Sequence, residues 1–115
     1  MLEQTEDAAR RQGSARVARL ARAERAWVAL LDGRGADAEH WAEGLDRTGL
    51  ETYAREPEVL ILARIRRAQG TAAELAPFLE QLVGAAEQVG RTDSSITLLV
   101  HLALIREQAG DAAGP

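Results

Sequence analysis

The chain carries two histidines, the side chains that titrate near neutral pH without perturbation, so acid–base chemistry would have to start from them. His40 stands beside Trp41, with Glu39 and Glu43 close by. His40 and Glu43, three residues apart, can offer a metal two ligands. Structural zinc sites take four ligands and catalytic ones three plus a water, so a solvated helix-face histidine is the simpler reading. His101 lies in an apolar stretch, where a hydrogen-bonded or interface histidine fits better than a catalytic base. Ser94 and Ser95 read as helix caps rather than nucleophiles, and no Ser-His-Asp arrangement is supported. The sequence therefore points to no metal, no cofactor and no catalytic constellation, and the expectation is that the chain is not an enzyme.

Binding residues are easier to name. Glu24 falls between Leu20 and Trp27 on the apolar side of a helical stretch, where a carboxylate must pair with an arginine or face a groove. Trp27 and Trp41 are the largest apolar side chains available. They pack as core or, as exposed aromatics often do, anchor a partner. Glu24, Trp27 and Trp41 are thus the candidate groove or ligand-binding residues. Arg64, Arg66 and Arg67 cluster near a helix C-terminus, and Arg10 and Arg11 near another, both favourable to the helix dipole. Tyr53 falls in a connector, where it reads as a local staple.

The elements that position these residues follow from composition and punctuation. The chain has 115 residues, one domain's worth, with no cysteine and a net charge of −4. All 14 cations are arginine. Without lysine there is no G-x-x-x-x-G-K-[ST] phosphate loop. The acidity disfavours binding a phosphate backbone. The N-terminus lacks the apolar core of a signal peptide, and no apolar run approaches the roughly 20 residues of a membrane span. Abundant alanine and leucine with few β-branched and aromatic residues predict an all-α fold.

Glycine breakers at Gly13, Gly33, Gly49, Gly70, Gly90 and Gly110 predict about six helices, over 2–12, 14–32, 37–47, 57–69, 72–89 and 93–109. Ser14, Thr71 with Glu74, and Asp93 or Ser94 are expected caps. Pro77 predicts a kink, or a helix that starts near Ala76. The second segment offers Val17, Leu20, Ala21, Trp27, Val28 and Leu31 as its buried face. The third offers Ala38, Trp41, Ala42 and Leu45, and the fifth Leu75, Phe78, Leu79, Leu82, Ala86 and Val89. The sixth is apolar around nearly its whole circumference and needs partners on more than one side. Ile96, Leu99, Val100, His101 and Leu104 are its candidate interface residues.

A shift of 77 residues places Leu2–Glu3–Gln4 on Leu79–Glu80–Gln81, Gly13 on Gly90 and Gly33 on Gly110. Helix pairs of 37–40 residues, stacked as an α-solenoid, would produce such a repeat.

Further residues carry a resemblance: Arg55–Glu56–Pro57–Glu58–Val59–Leu60–Ile61–Leu62–Ala63–Arg64, Ala68–Gln69–Gly70, Leu79–Glu80–Gln81–Leu82, Ala85–Ala86–Glu87, Gly90–Arg91–Thr92 and Gln108–Ala109–Gly110–Asp111, with Trp41–Ala42–Glu43 upstream. In this order they resemble the tetratricopeptide-like superhelical region of large, ATP-binding LuxR-family transcriptional regulators of the MalT type. Pro77 departs from the unbroken helix of that family. The resemblance implies one tetratricopeptide-like helical domain over 1–115, an α-α superhelix and a fragment of a longer bacterial, cytoplasmic regulator. Its role would be sensing and protein interaction, with DNA reading and ATP hydrolysis left to other modules. The implied partners are those modules, a regulatory protein or a small-molecule inducer, with no direct nucleic acid and no membrane. The alternative is a free-standing all-helical adaptor that homodimerises through helix 93–109.

Overall fold

A computed structural model describes residues 2–113, with side chains at 10–11 and 13–110. Among the described residues there are five α-helices and no strand: α1 (Leu2–Leu31), α2 (Gly35–Gly44), α3 (Glu56–Gln69), α4 (Ala76–Gln88) and α5 (Thr92–Ala113). Single 3₁₀ turns precede α3 and α4, at Tyr53–Arg55 and Ala72–Leu75. The chain divides into two compact units, 1–62 and 63–115, with the division inside α3.

Three helices stop by one device. Gly33, Gly70 and Gly90 have φ of 83°, 76° and 75°, the left-handed region that glycine enters without steric cost. Each donates its N–H to the carbonyl three residues back, and the next residue donates to the carbonyl five back: Arg34 to Ala29 at 2.7 Å, Thr71 to Arg66 at 2.9 Å and Arg91 to Ala86 at 2.9 Å. This double bond pattern is the Schellman motif, which satisfies carbonyls that a helix end leaves open.

Gly13 and Gly110 do not act this way. Both lie in helix interiors, so the expected break between 2–12 and 14–32 is absent, Ser14 caps nothing, and α5 continues past 109. An interior glycine costs roughly 1 kcal/mol against alanine, less than a 30-residue helix can absorb. The 77-residue shift thus pairs helix-interior Gly13 with helix-ending Gly90, and helix-ending Gly33 with helix-interior Gly110. The predicted third segment, 37–47, is shorter at its end, since α2 stops at Gly44.

In the first unit, α1 and α2 form an αα-hairpin across the turn at 32–34. The buried stripe of α1 is Ala23, Ala26 and Ala29, and that of α2 is Ala38 and Ala42. Methyl side chains allow two helix axes to approach at the short end of the usual 8–10 Å range. The expected face of α1 is therefore rotated away from the hairpin: Val17, Val28 and Leu31 are exposed, while Leu20 and Trp27 are half-buried. Leu50, Val59, Ile61 and Leu62 are the other buried apolar side chains among the described residues of this unit.

In the second unit, α4 packs against α5. Leu79, Leu82, Val83 and Ala86 of α4 are buried, as are Leu98, Leu102 and Ile105 of α5. Pro77 falls in the first turn of α4, where its missing N–H has no partner to lose, so the helix starts at Ala76 and is not kinked. Thr71 makes no side-chain cap bond. Residues 72–75 coil as a 3₁₀ turn that packs on both α4 and α5. Gln108 of α5 donates from Nε2 at 2.7 Å to the Arg67 carbonyl, which also accepts from the Gly70 N–H at the end of α3.

Candidate functional site

A groove of about 600 Å³ runs along the α1–α2 hairpin. Ala26, Val28 and Ala29 of α1 and Trp41 of α2 supply its apolar surface. Its polar lining is Arg22, Glu24 and Arg25 from α1, Arg34 from the turn, and Asp37 and His40 from α2. Position follows from helix periodicity: Arg22, Arg25, Ala26 and Ala29 recur at three and four residues, and Asp37, His40 and Trp41 repeat that spacing on α2.

The charges of the groove are unequally engaged. Arg34 is shared between Asp32 and Asp37, each at 3.5 Å, which neutralises it locally. Arg22 and Arg25 make no ion pair among the described residues. Glu24, expected to pair in the core or on its rim, is exposed and lines the groove instead, because α1 buries its alanine stripe rather than the face carrying Glu24. Trp41 is half-buried on the groove wall. Trp27 is also half-buried but is not among the lining residues, so the three candidates do not form one cluster.

A smaller concavity of about 390 Å³ is lined by Arg16, Tyr53, Glu56, Pro57 and Leu60. Tyr53 is exposed there.

Sequence reasoning missed a buried ionic cluster. Arg55 donates from Nη2 to Glu58 Oε2 at 2.8 Å and from Nε to Oε1 at 3.3 Å. Arg19 of α1 donates to the same Oε1 at 3.3 Å, and Arg55 Nη1 donates to the Thr48 carbonyl at 2.8 Å. The Glu58 partnership holds Arg55 above its ordinary pKa. The available signal was the three-residue spacing of Arg55 and Glu58, opposite charges that meet across one helical turn. The cluster ties α1, the 45–55 connector and the start of α3 together. Within that connector the Thr48 backbone N–H bonds Asp46 Oδ1 at 2.9 Å and, with the Thr48 side chain, lowers the Asp46 pKa.

The α5 candidates divide between two faces. Ile96, Leu99 and Val100 are exposed by 55%, 43% and 53%, an apolar stripe at spacings of three and four. Leu104 is half-buried, and His101 is only 7% exposed, on the inward side with Leu98, Leu102 and Ile105. His101 is thus a core residue and not an interface one: a helix angle of about 200° separates it from Leu99. Its Nδ1 is buried with no hydrogen-bond partner. Burial first, then Arg64 and Arg67, lower its pKa. Of the arginine cluster, Arg66 bonds Gln69 at 3.0 Å, and Arg66 and Arg67 occupy the last turn of α3. Arg106 pairs with Glu80 of α4.

Among the described residues, no group of three or more histidine or carboxylate side chains is placed to hold a metal ion, and no helix is long and apolar enough to cross a membrane. His40 is exposed on the groove rim. Ser94 and Ser95 are buried at the start of α5. No protein-family model, curated protein or solved structure matches the chain.

Proposed function

We propose that this chain is a regulatory and protein-interaction module, the tetratricopeptide-like superhelical part of a cytoplasmic, bacterial LuxR-family regulator of the MalT type, itself neither DNA-reading nor catalytic. The ordered motifs from Trp41 to Asp111 support the family reading, and an all-helical fold is compatible with it. The observation that carries an interaction role is the exposed stripe Ile96, Leu99 and Val100. Apolar side chains grouped on one helix face are what a binding surface requires and an isolated domain avoids. The genomic sequence on both sides of the segment tests the family reading. A phosphate-binding loop encoded upstream and a helix-turn-helix downstream are expected; flanks encoding neither overturn it.

The same stripe favours a second reading, an all-helical adaptor that homodimerises through residues 93–109. Light scattering on a concentration series decides it: a dimer that Val100→Glu dissociates supports self-association, and a strict monomer at high concentration rejects it.

A further inference from the structure

The α1–α2 groove has a composition that selects a ligand. We propose that it binds a small planar organic monoanion, an aromatic carboxylate, with the carboxylate on Arg22 and Arg25 and the ring on Trp41.

Size comes first. A concavity of about 600 Å³ lies within the roughly 300–1,000 Å³ of small-molecule sites. A docked helical peptide needs anchors over several turns, and α2, with 10 residues, spans only about 15 Å. Charge comes second. The whole chain is at −4, yet the two groove cations without a carboxylate partner among the described residues are Arg22 and Arg25, one helical turn apart. Paired guanidinium groups suit a carboxylate, whose two oxygens accept from planar forks. Arg34, already shared between Asp32 and Asp37, adds no free charge. The ring partner is third. Trp41, half-buried beside Ala26 and Ala29, offers an indole to a flat apolar group.

The acids set the limit on charge. Glu24 lies about 160° of helix azimuth from Arg22 and about 100° from Arg25, so it borders the groove on the side of Val28 rather than neutralising the pair. Glu24, a groove carboxylate with no ion pair among the described residues, repels a second negative charge, which restricts the ligand to a monoanion.

This inference deepens the proposed regulatory role by naming its small-molecule input, and rests on the sensing part of that reading. Calorimetric titration of the full chain with 1-naphthoate tests it, with naphthalene-1-methanol as neutral isostere and naphthalene-1,4-dicarboxylate as dianion. Saturable binding of one naphthoate per chain is expected, with the alcohol and the dianion weaker by about ten-fold or more. The exposed double variant R22Q/R25Q is expected to lose about ten-fold in naphthoate affinity while keeping its helical circular dichroism. Trp41→Phe should retain binding, and Trp41→Ala should weaken it. Equal affinity for acid and alcohol, full affinity in R22Q/R25Q, or no saturable binding overturns the proposal. Those outcomes leave the flanking-gene test of the family reading untouched, and flanks without regulator modules leave the titration valid.

Discussion

Arg55 and Glu58 form a two-point ion pair, Nη2 to Oε2 at 2.8 Å, with side chains only 8% and 3% exposed. A charge pair so withdrawn from water is costly to break from one side, because the remaining partner stays buried without compensation. Glu58→Ala is therefore expected to destabilise the fold by about 3–5 kcal/mol. Arg19, whose side chain is 34% exposed, shares Glu58 Oε1, and Arg19→Ala should cost about 1 kcal/mol or less. Urea unfolding checks both. Equal effects of the two variants would show that the cluster is not centred on the buried pair.

Glycine substitutions should split by sign. Gly33→Ala, Gly70→Ala and Gly90→Ala place a side chain at φ above +70°, and each should cost about 1 kcal/mol. Gly13→Ala should instead stabilise by about 0.5–1 kcal/mol, because it lies inside α1 and an added Cβ meets nothing within 4 Å. Thermal unfolding measures the difference. A destabilised Gly13→Ala would restore the helix break that the continuous α1 replaces.

Acid should weaken the fold through His101. Its pKa in the folded chain lies below the ordinary imidazole value because burial and then Arg64 and Arg67 oppose the charged form. The unfolded chain therefore binds the proton more readily. The contribution of neutral His101 is intact above about pH 6.5 and is lost as pH falls from there through the lowered folded pKa. Unfolding free energy measured from pH 8 to pH 5 should fall more in the wild type than in His101→Gln. Parallel curves would remove His101 from the pH response.

The outer stripe of α5 should tolerate charge. Ile96→Glu and Val100→Glu alter side chains that are more than half exposed, so unfolding midpoints should move little, within about 0.5 kcal/mol. On the adaptor reading, sedimentation should show less self-association than in the wild type. A large stability loss would mean that these side chains are buried in the folded chain.

Some of this architecture was legible in the residues because it depends on neighbours along the chain. Helix class followed from alanine and leucine. The stops at Gly33, Gly70 and Gly90 followed from glycine's access to positive φ, and the start of α4 at Ala76 from proline's missing N–H. In α2 and α4, Ala38 with Ala42 and Leu79 with Leu82 and Ala86 followed from helical spacing, whereas Val89 of the same expected face is exposed and buried Val83 was not in it. Tertiary packing decided the rest. Hydrophobicity ranks Val17, Val28 and Leu31 above alanine, but close helix approach favours the methyl stripe Ala23–Ala26–Ala29, which rotates α1 and turns Glu24 into the groove. α1 also runs on through Gly13, because its alanine- and arginine-rich flanks are good helix formers and one interior glycine costs only roughly 1 kcal/mol. The Arg19–Glu58 contact spans 39 residues, and no local spacing rule reaches that far. His101 reads as one more position on an all-round apolar helix. Only the partner helices determine which part of that circumference is covered, leaving His101 inside and Ile96, Leu99 and Val100 facing out.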